Sequence, residues 1–264
     1  MNETQILQVL TENTPADTRA RGLERWWLLV AKRTVENLRS VLRLEIYASP
    51  GARSDLPGVS PYSQSLIEEA RMFRAEVFFA SGRRPSFRTQ DGAFADSAVT
   101  DDHAYHIVCR DSSGALAGYI RADVTDLQRH SSVVEHLGVQ HTEEVLQRLG
   151  VRAGQVLEMG RLAVSAGSRW QGVAEAMVVS AHALACRLDC WILWCTAAEG
   201  DGQKHYFVRY GATELPGSSA YVPKYSDSAC VVVQDLRDVL PRIRDAVRLV
   251  DEAVFGAAHR RRPI

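Results

Sequence analysis

The stretch "EMGRLAVSAGSRWQGVAEAM", residues 158–177, contains the most informative change of pattern in the chain. The apolar run "RLAV" predicts a strand that ends near Val164, and a helical pattern begins near Trp170. Gly172 is predicted in the first turn of that helix, where glycine is about 1 kcal/mol less favourable than alanine. The first N–H groups of a helix lack internal partners and attract anions. A glycine there lets a phosphate approach the backbone, although an incidental glycine or close helix–sheet packing also explains it.

Composition and charge restrict the classes of protein to which the chain can belong. Its 264 residues carry a formal net charge of −1, which argues against general nucleic-acid binding, because such binding needs a positive excess. The five cysteines are an odd count and predict free thiols in a reducing compartment. Cys186 and Cys190 have helical spacing, but no further ligand completes a zinc pattern, so we expect no metal. Neither a signal peptide nor a membrane-spanning run is visible, which predicts a cytoplasmic protein.

The order of helical and strand patterns predicts an α/β fold of the mixed α+β kind. The predicted elements are, in chain order, a helix at 22–48, a linker at 48–61, a helix at 62–80, a hairpin at 104–124, and alternating helices and strands from 131 to 235. This order is typical of a mixed, mostly antiparallel central sheet with helices on both faces. The expected units are an N-terminal helical extension and linker (1–60), a main domain (61–235), and a C-terminal helix with a basic tail (236–264).

The segment after the central strand resembles a known binding segment. "RWQGVA" after "GRLAV" is similar to the Q/R-x-x-G-x-G/A segment with which the GNAT acyltransferase superfamily binds phosphopantetheine, and "YFVRYGA" resembles a late helix of that superfamily. The resemblance implies a GNAT-like sheet. It also implies that a thioester of acyl-CoA or acyl carrier protein binds the strand edge and the helix start. The residues so implied are Leu162, Val164, Arg169, Trp170, Gln171, Gly172, Val173 and Ala174.

A narrower resemblance is to acyl-homoserine lactone synthases and the related N-acyl amino acid synthases. Their pattern has Arg and Phe four apart on an early helix, acids in the next loop, an Arg closing the second hairpin strand, and Glu-x-x-Arg on the central strand. The matching residues are Arg74, Phe78, Asp96, Asp101, Asp102, Arg121, Glu158 and Arg161. The resemblance implies that a small amino-acid-like acceptor is bound by Arg74, Phe78, Asp101, Asp102, Arg121 and Arg161. The alternative is a structural role, with the arginines paired to the loop aspartates and the aspartates capping turns.

Two residues are candidates for proton transfer. Glu158 is expected to accept a proton from the amine of the acceptor, and Tyr206 is a candidate acid for the departing thiolate. Glu158 and Arg161 are three positions apart and would face opposite ways in a regular strand. A bulge at Gly160 would bring them to one face. The alternative is an ordinary ion pair with the hairpin arginine, Arg121.

These residues favour an N-acyltransferase that moves an acyl group from acyl-CoA or acyl carrier protein to the amine of a small acceptor. Two alternatives stay open: a GNAT-type acetyltransferase acting on a larger amine or a protein lysine, and a non-catalytic, ligand-binding member of the fold. Trp26 and Trp27 on the first helix are expected in the core, with cover of the acyl chain or a homodimer contact as alternatives.

Overall fold

The computed structural model describes residues 16–61, 63–96, 99–169, 171–200, 202–223 and 227–256. These residues form seven α-helices and nine strands. The helices are α1 (Ala16–Ser40), α2 (Gln64–Ala80), α3 (Ser132–Leu137), α4 (Val139–Leu149), α5 (Val173–Arg187), α6 (Gln203–Val208) and α7 (Leu236–Phe255). The strands are β1 (Arg43–Ala48), β2 (Val59–Pro61), β3 (Tyr105–Arg110), β4 (Leu116–Val124), β5 (Val156–Val164), β6 (Ile192–Ala198), β7 (Thr213–Glu214), β8 (Ala220–Val222) and β9 (Asp227–Asp235).

The nine strands form one mixed sheet. Their order is β2-β1-β3-β4-β5-β6-β9-β7, and β8 also pairs with β9. The pairs β1–β2 and β5–β6 are parallel, and the other pairs are antiparallel. The predicted hairpin is β3–β4, and Asp111 closes its turn by accepting hydrogen bonds from the backbone of Ser113 and Ala115. The predicted mixed, mostly antiparallel sheet is confirmed.

Helices cover both faces of this sheet, as predicted. On the first face, α5 packs over β4, and α1 and α7 pack with α5 in a core that includes Ile120, Met177 and Val247. On the second face, α2 packs over Tyr119 of β4, and α3 and α4 pack over Trp194 of β6. Each large apolar side chain buried in this way contributes about 1.5–3 kcal/mol. Among the described residues, none of the helices combines the length and apolar character that a membrane span needs.

The N-terminal helix is shorter than the sequence predicts. It ends at Ser40, and residues 43–48, which the prediction placed in the helix, form β1. The segment "RLEIYA" alternates, with Leu44, Ile46 and Ala48 in the first-face core, and this period of two favours a strand. The predicted linker at 48–61 likewise ends in β2, which pairs with β1.

The helix α1 is part of the main core. Trp26 and Trp27 are 2% and 0% exposed, which confirms the expectation that they pack inside. Trp27 Nε1 donates a hydrogen bond to the carbonyl oxygen of Tyr210 at 3.1 Å, and its ring lies edge-on to His182 with centroids 4.5 Å apart. These contacts fix α1 against α5 on the first face.

The approach of α5 to β4 depends on Gly118. A Cβ atom at this position would lie 2.4 Å from Val173 Cγ1 and 2.7 Å from Met177 Cε. We expect Gly118→Ala to destabilise the fold by about 1–3 kcal/mol, because overpacking forces the helix outward. Gly154→Ala is the matched control, since a Cβ there meets no atom within 4 Å. Denaturant midpoints of the two variants test this, and equal midpoints would contradict the close packing.

Candidate active site

Strands β5 and β6 separate after only three paired positions. The pairs are Val156 with Ile192, Leu157 with Leu193, and Glu158 with Trp194. Beyond them β5 continues to Val164 and β6 to Ala198, and β5 keeps β4 on its other side as far as Val164. Residues 159–164 therefore present one strand edge to the gap, which we call the wedge. Such an edge offers backbone N–H and C=O groups to an extended ligand.

A bulge in β5 accompanies the wedge. Arg121 on β4 pairs with Gly160 on β5, and Tyr119 on β4 pairs with Ala163 on β5. Two steps along β4 therefore correspond to three steps along β5. One extra residue therefore lies in β5 immediately after Gly160. Arg161 has a φ of 59°, in the left-handed region that non-glycine residues rarely adopt. The predicted bulge is confirmed, and it brings Arg161 and Glu158 to the second face.

Gly172 is the N-cap of α5, so the prediction that it lies in the first turn of the helix is wrong by one position. Its φ is 73° and its ψ is 18°, a conformation in which a residue with a Cβ is strained. A Cβ would also lie 3.1 Å from Asn37 Nδ2 and 3.6 Å from Arg33 Cδ. The backbone conformation and the neighbouring α1 side chains therefore account for the glycine.

The other residues predicted to bind the donor lie around the same helix start. Asn37 Nδ2 donates to the carbonyl oxygen of Gln171 at 2.9 Å, so α1 holds the loop before α5. The exposed side chains are Arg169 and Gln171; Val173 is buried, and Leu162, Val164 and Ala174 are half-buried. Trp170 lies outside the described residues. The wedge and the helix start are thus joined by the loop at 165–172.

Arg74 is the centre of a buried charge cluster on the second face. Its Nη1 and Nη2 donate to the two carboxylate oxygens of Asp101 at 3.0 and 2.9 Å. Nη1 also donates to Tyr119 Oη, and Nη2 to the carbonyl oxygen of Asp96, both at 3.0 Å. Arg74 and Asp101 are both 0% exposed. This bidentate pair satisfies a buried charge with good geometry.

Two further arginines of the predicted acceptor set join this cluster. Arg121 Nη1 lies 3.4 Å from Asp101 Oδ1, and Arg161 Nε lies 3.3 Å from Asp96 Oδ2. Burial raises the pKa of Asp101, but Arg74 and Arg121 outweigh it and hold that pKa below its ordinary value. The side chain of Arg161 is 22% exposed, whereas that of Arg121 is 4% exposed. We call Arg74, Asp96, Asp101, Arg121 and Arg161 the acceptor cluster.

The remaining two predicted acceptor residues lie at the margin of the cluster. Phe78 packs edge-on against Phe87 with centroids 6.2 Å apart, and Arg161 Cζ lies 5.8 Å from the Phe87 ring. Phe78 is therefore linked to Arg161 through the ring of Phe87. The side chain of Asp102 is 64% exposed and reaches Arg71 Nη2 at 3.8 Å. The structure thus brings Asp101, and not Asp102, into the buried cluster.

Glu158 is held by the start of α3. Its carboxylate accepts hydrogen bonds from Ser131 Oγ, from Ser132 N at 2.9 Å and from Val133 N at 3.4 Å. Glu158 is 4% exposed. The free N–H groups at a helix start favour a carboxylate in this position. Glu158 therefore joins β5 to α3, and its role as a base stays a prediction.

Tyr206 lies on α6, which packs against the first face, away from Glu158. Its Oη is 3.4 Å from Tyr210 Oη. Burial, together with Glu175 in the first turn of α5, raises the pKa of Tyr206 above its ordinary value. Tyr206 is therefore protonated at neutral pH and has a proton to donate.

The sequence prediction did not assign a role in the site to Arg71, Tyr119 or His106. His106 Nδ1 lies 2.7 Å from Tyr119 Oη, and its Nε2 lies 2.8 Å from Ser49 Oγ. Burial lowers the pKa of His106 to about 4, so the ring is neutral at pH 7. Arg71 Nε donates to Asp101 Oδ2 at 2.9 Å, and its spacing of three residues from Arg74 was a signal for a shared helix face. Tyr119 and His106 lie on paired strands and had no comparable signal.

One group of potential metal ligands exists among the described residues, away from the acceptor cluster. It comprises Glu199, Glu214 and Cys230. Lys204 Nζ lies 3.6 Å from Glu199 and forms an ion pair with Glu214. An ammonium group therefore already balances these two carboxylates.

The left-handed conformation of Arg161 gives a direct test of the bulge. Arg161→Ala and Arg161→Gly both remove the guanidinium, but only alanine is strained at this φ. The strain of about 1–2 kcal/mol exceeds the unfolded-state entropy of glycine, about 0.4–1 kcal/mol, so we expect the glycine variant to be more stable. Urea denaturation of both variants measures the difference. An alanine variant at least as stable as the glycine variant would contradict a strained bulge.

Comparisons with known proteins agree with this geometry. Residues 73–179 match the family model described as "Acetyltransferase (GNAT) domain". No curated protein matches the chain. The crystal structure of TofI in a ternary complex with an inhibitor and MTA is 16% identical, with a TM-score of 0.51, over 76% of this chain and 96% of that chain. BjaI, a CoA-dependent acyl-homoserine lactone synthase solved with MTA, is 16% identical, with a TM-score of 0.54, over 80% of this chain and 98% of that chain. The match of residues 73–179 to this family model and the similarity to these structures confirm the predicted GNAT-like fold.

Proposed function

We propose that the protein is an N-acyltransferase that moves an acyl group from a pantetheine thioester to the amine of a small, amino-acid-like acceptor. The observation that carries this proposal is the wedge. Its closed end lies at Glu158 and Trp194, where β5 and β6 pair, and the start of α5 lies beyond its open end. A long, narrow donor with a reactive end and a phosphate end fits these two features. The structure of BjaI with SAM and isopentyl-CoA supports the choice of such a pair of substrates.

The donor lies along the free edge of β5. Its pantetheine amides hydrogen-bond to the backbone of residues 159–164, and Leu162 and Val164 pack against it from their half-buried positions. Its phosphate lies at the start of α5, where backbone N–H groups favour an anion. Acyl-CoA and acyl carrier protein present the same pantetheine arm to these groups, and both are donors to be tested.

The acceptor binds beside the acceptor cluster. Arg74 and Asp101 are fully buried and hydrogen-bond to each other, so they support the acceptor site from below its surface. Arg161 is the most exposed of the three arginines in the cluster and binds the acceptor carboxylate, with Arg121 behind it. An amine held in this way lies on the second face, near the closed end of the wedge.

In the reaction the acceptor nitrogen loses two protons, one before it attacks and one as the amide forms, and the leaving thiolate gains one. The ammonium of the acceptor loses a proton to a carboxylate near Glu158, and the neutral nitrogen attacks the thioester carbonyl carbon. The C–N bond forms and the C–S bond breaks, while backbone N–H groups of the β5 edge stabilise the charge on the carbonyl oxygen. The thiolate takes a proton from Tyr206, and Tyr206 regains one from the amide nitrogen through water, so that one proton in total is released to solvent.

A thiol-release assay tests the function as a whole. A panel of acyl-CoA and acyl-carrier donors is combined with amino acids and SAM, and free thiol and N-acyl product are measured together. We expect equal amounts of thiol and amide for one class of acceptor. Acylation of protein lysine alone would favour the larger-amine alternative, and tight donor binding without turnover would favour the ligand-binding module.

Gly172 provides the test of the donor site. We expect Gly172→Glu to weaken donor binding about tenfold or more, because its carboxylate competes with the phosphate at the helix start. Gly172→Ala is the control: it has the same backbone strain and the same approach to Asn37, but no charge. Calorimetry with acyl-CoA measures both affinities. Equal affinities in the two variants would show that the phosphate binds elsewhere.

A further inference from the structure

Asp123 occupies a position beside Glu158 that the sequence did not single out. It lies on β4 directly opposite Glu158 on β5, and Glu158 lies beside Trp194 on β6. The side chains of a directly opposed antiparallel pair share a face, with Cβ atoms about 4.5–5.5 Å apart. Asp123, Glu158 and Trp194 therefore form a row across three strands on the second face. This row is the last one before β5 and β6 separate into the wedge.

The two carboxylates of this row have different surroundings. Glu158 accepts hydrogen bonds from Ser131, Ser132 and Val133, and a proton that arrived on it would displace these donors. Asp123 is 8% exposed, and no described residue donates a hydrogen bond to it. A buried carboxylate without donors is costly unless a ligand or a proton completes its surroundings.

Charged groups around Asp123 set its affinity for a proton. Those that face it are Arg121 and Glu158 on the sheet, and Arg129 and Asp126 in the segment after β4. Burial is the largest influence and raises the pKa of Asp123 to about 7, with Glu158 and Asp126 adding to the rise and the two arginines opposing it. A base is most effective when its pKa lies near the working pH.

We propose that Asp123 is the general base that removes the proton from the acceptor ammonium, and that Glu158 is a positioning residue which holds α3 in place and keeps a negative charge beside Asp123. This rests on the proposed N-acyltransferase function. The first proton passes from the ammonium nitrogen to Asp123 before the neutral nitrogen attacks the thioester carbonyl carbon. After the C–S bond breaks and the thiolate is protonated, Asp123 returns its proton to water.

The test is the pH dependence of kcat for the full chain with its best donor and acceptor. The parent is expected to lose activity as the pH falls through about 7, because Asp123 becomes protonated. Asp123→Asn is expected to lower kcat by about 10² to 10⁴, to lose this limb of the profile, and to leave donor affinity unchanged. Asp245→Asn is the control, since it removes the same charge from a side chain on α7 that is 77% exposed.

The Glu158→Gln variant shows whether Glu158 is the base or only a charged neighbour of the base. Removing the negative charge beside Asp123 is expected to move the acid limb of kcat to lower pH, while the base itself remains. If Glu158 were the base, this variant would lose the limb altogether, and the role assigned to Asp123 would be wrong. Asp123→Asn with kcat within about threefold of the parent at every pH would also overturn the proposal, since base removal costs far more.

Stability measurements show whether the lower kcat of Asp123→Asn comes from loss of folding. The pKa of Asp123 is raised in the folded state, so the unfolded chain loses this proton first as pH rises from about 4 to 7. Ionisation of Asp123 therefore destabilises the fold, and Asp123→Asn is expected to unfold at a higher temperature than the parent above pH 7. A lower melting temperature there would contradict the raised pKa. A parent that releases no thiol with any donor and acceptor would overturn the proposed function itself, and the role of Asp123 with it.

Discussion

The extra residue in β5 is the constraint on which the rest of the site depends. A bulge bends and twists the strand that contains it, and β5 leaves β6 within three residues of Arg161. The left-handed backbone of Arg161 costs about 1–2 kcal/mol and persists because β4 pairs with β5 on both sides of it. The same irregularity therefore lies in the free edge of β5 and directs a guanidinium to the face where the acceptor cluster lies.

The acceptor cluster combines a rigid part with an accessible part. Arg74 and Asp101 are fully buried, and the loss of hydration is offset because Nη1 and Nη2 of Arg74 both donate to the carboxylate of Asp101. Removing one partner of such a pair costs about 3–5 kcal/mol, since the other charge is left uncompensated. The sequence left two interpretations open for the arginines: structural partners of aspartates, or substrate ligands. Arg74 has the surroundings of a structural residue, whereas Arg161 keeps an exposed fraction that a ligand can contact.

Features set by the local sequence pattern could be predicted, whereas features that depend on contacts between distant parts of the chain could not. The "DSSG" hairpin, the strand "RLAV" and the helix after it are set by turn chemistry and periodicity, and all three are present. β1 was missed because its alternation directly follows a helix of similar composition. The contact of Glu158 with Ser131 spans 27 positions, and it exists only because α3 returns to β5. The raised pKa of Asp123 likewise follows from burial and from a neighbour on another strand.

The proposed function requires a donor that lies along residues 159–164 and ends at the start of α5. Hydrogen exchange of the full chain, with and without saturating acyl-CoA, tests it most directly, because each bound backbone N–H exchanges more slowly. We expect slower exchange in two segments, 159–164 and 172–176, with little change at the opposite sheet edge formed by β2. Binding proved by calorimetry, but with unchanged exchange in both segments, would contradict it.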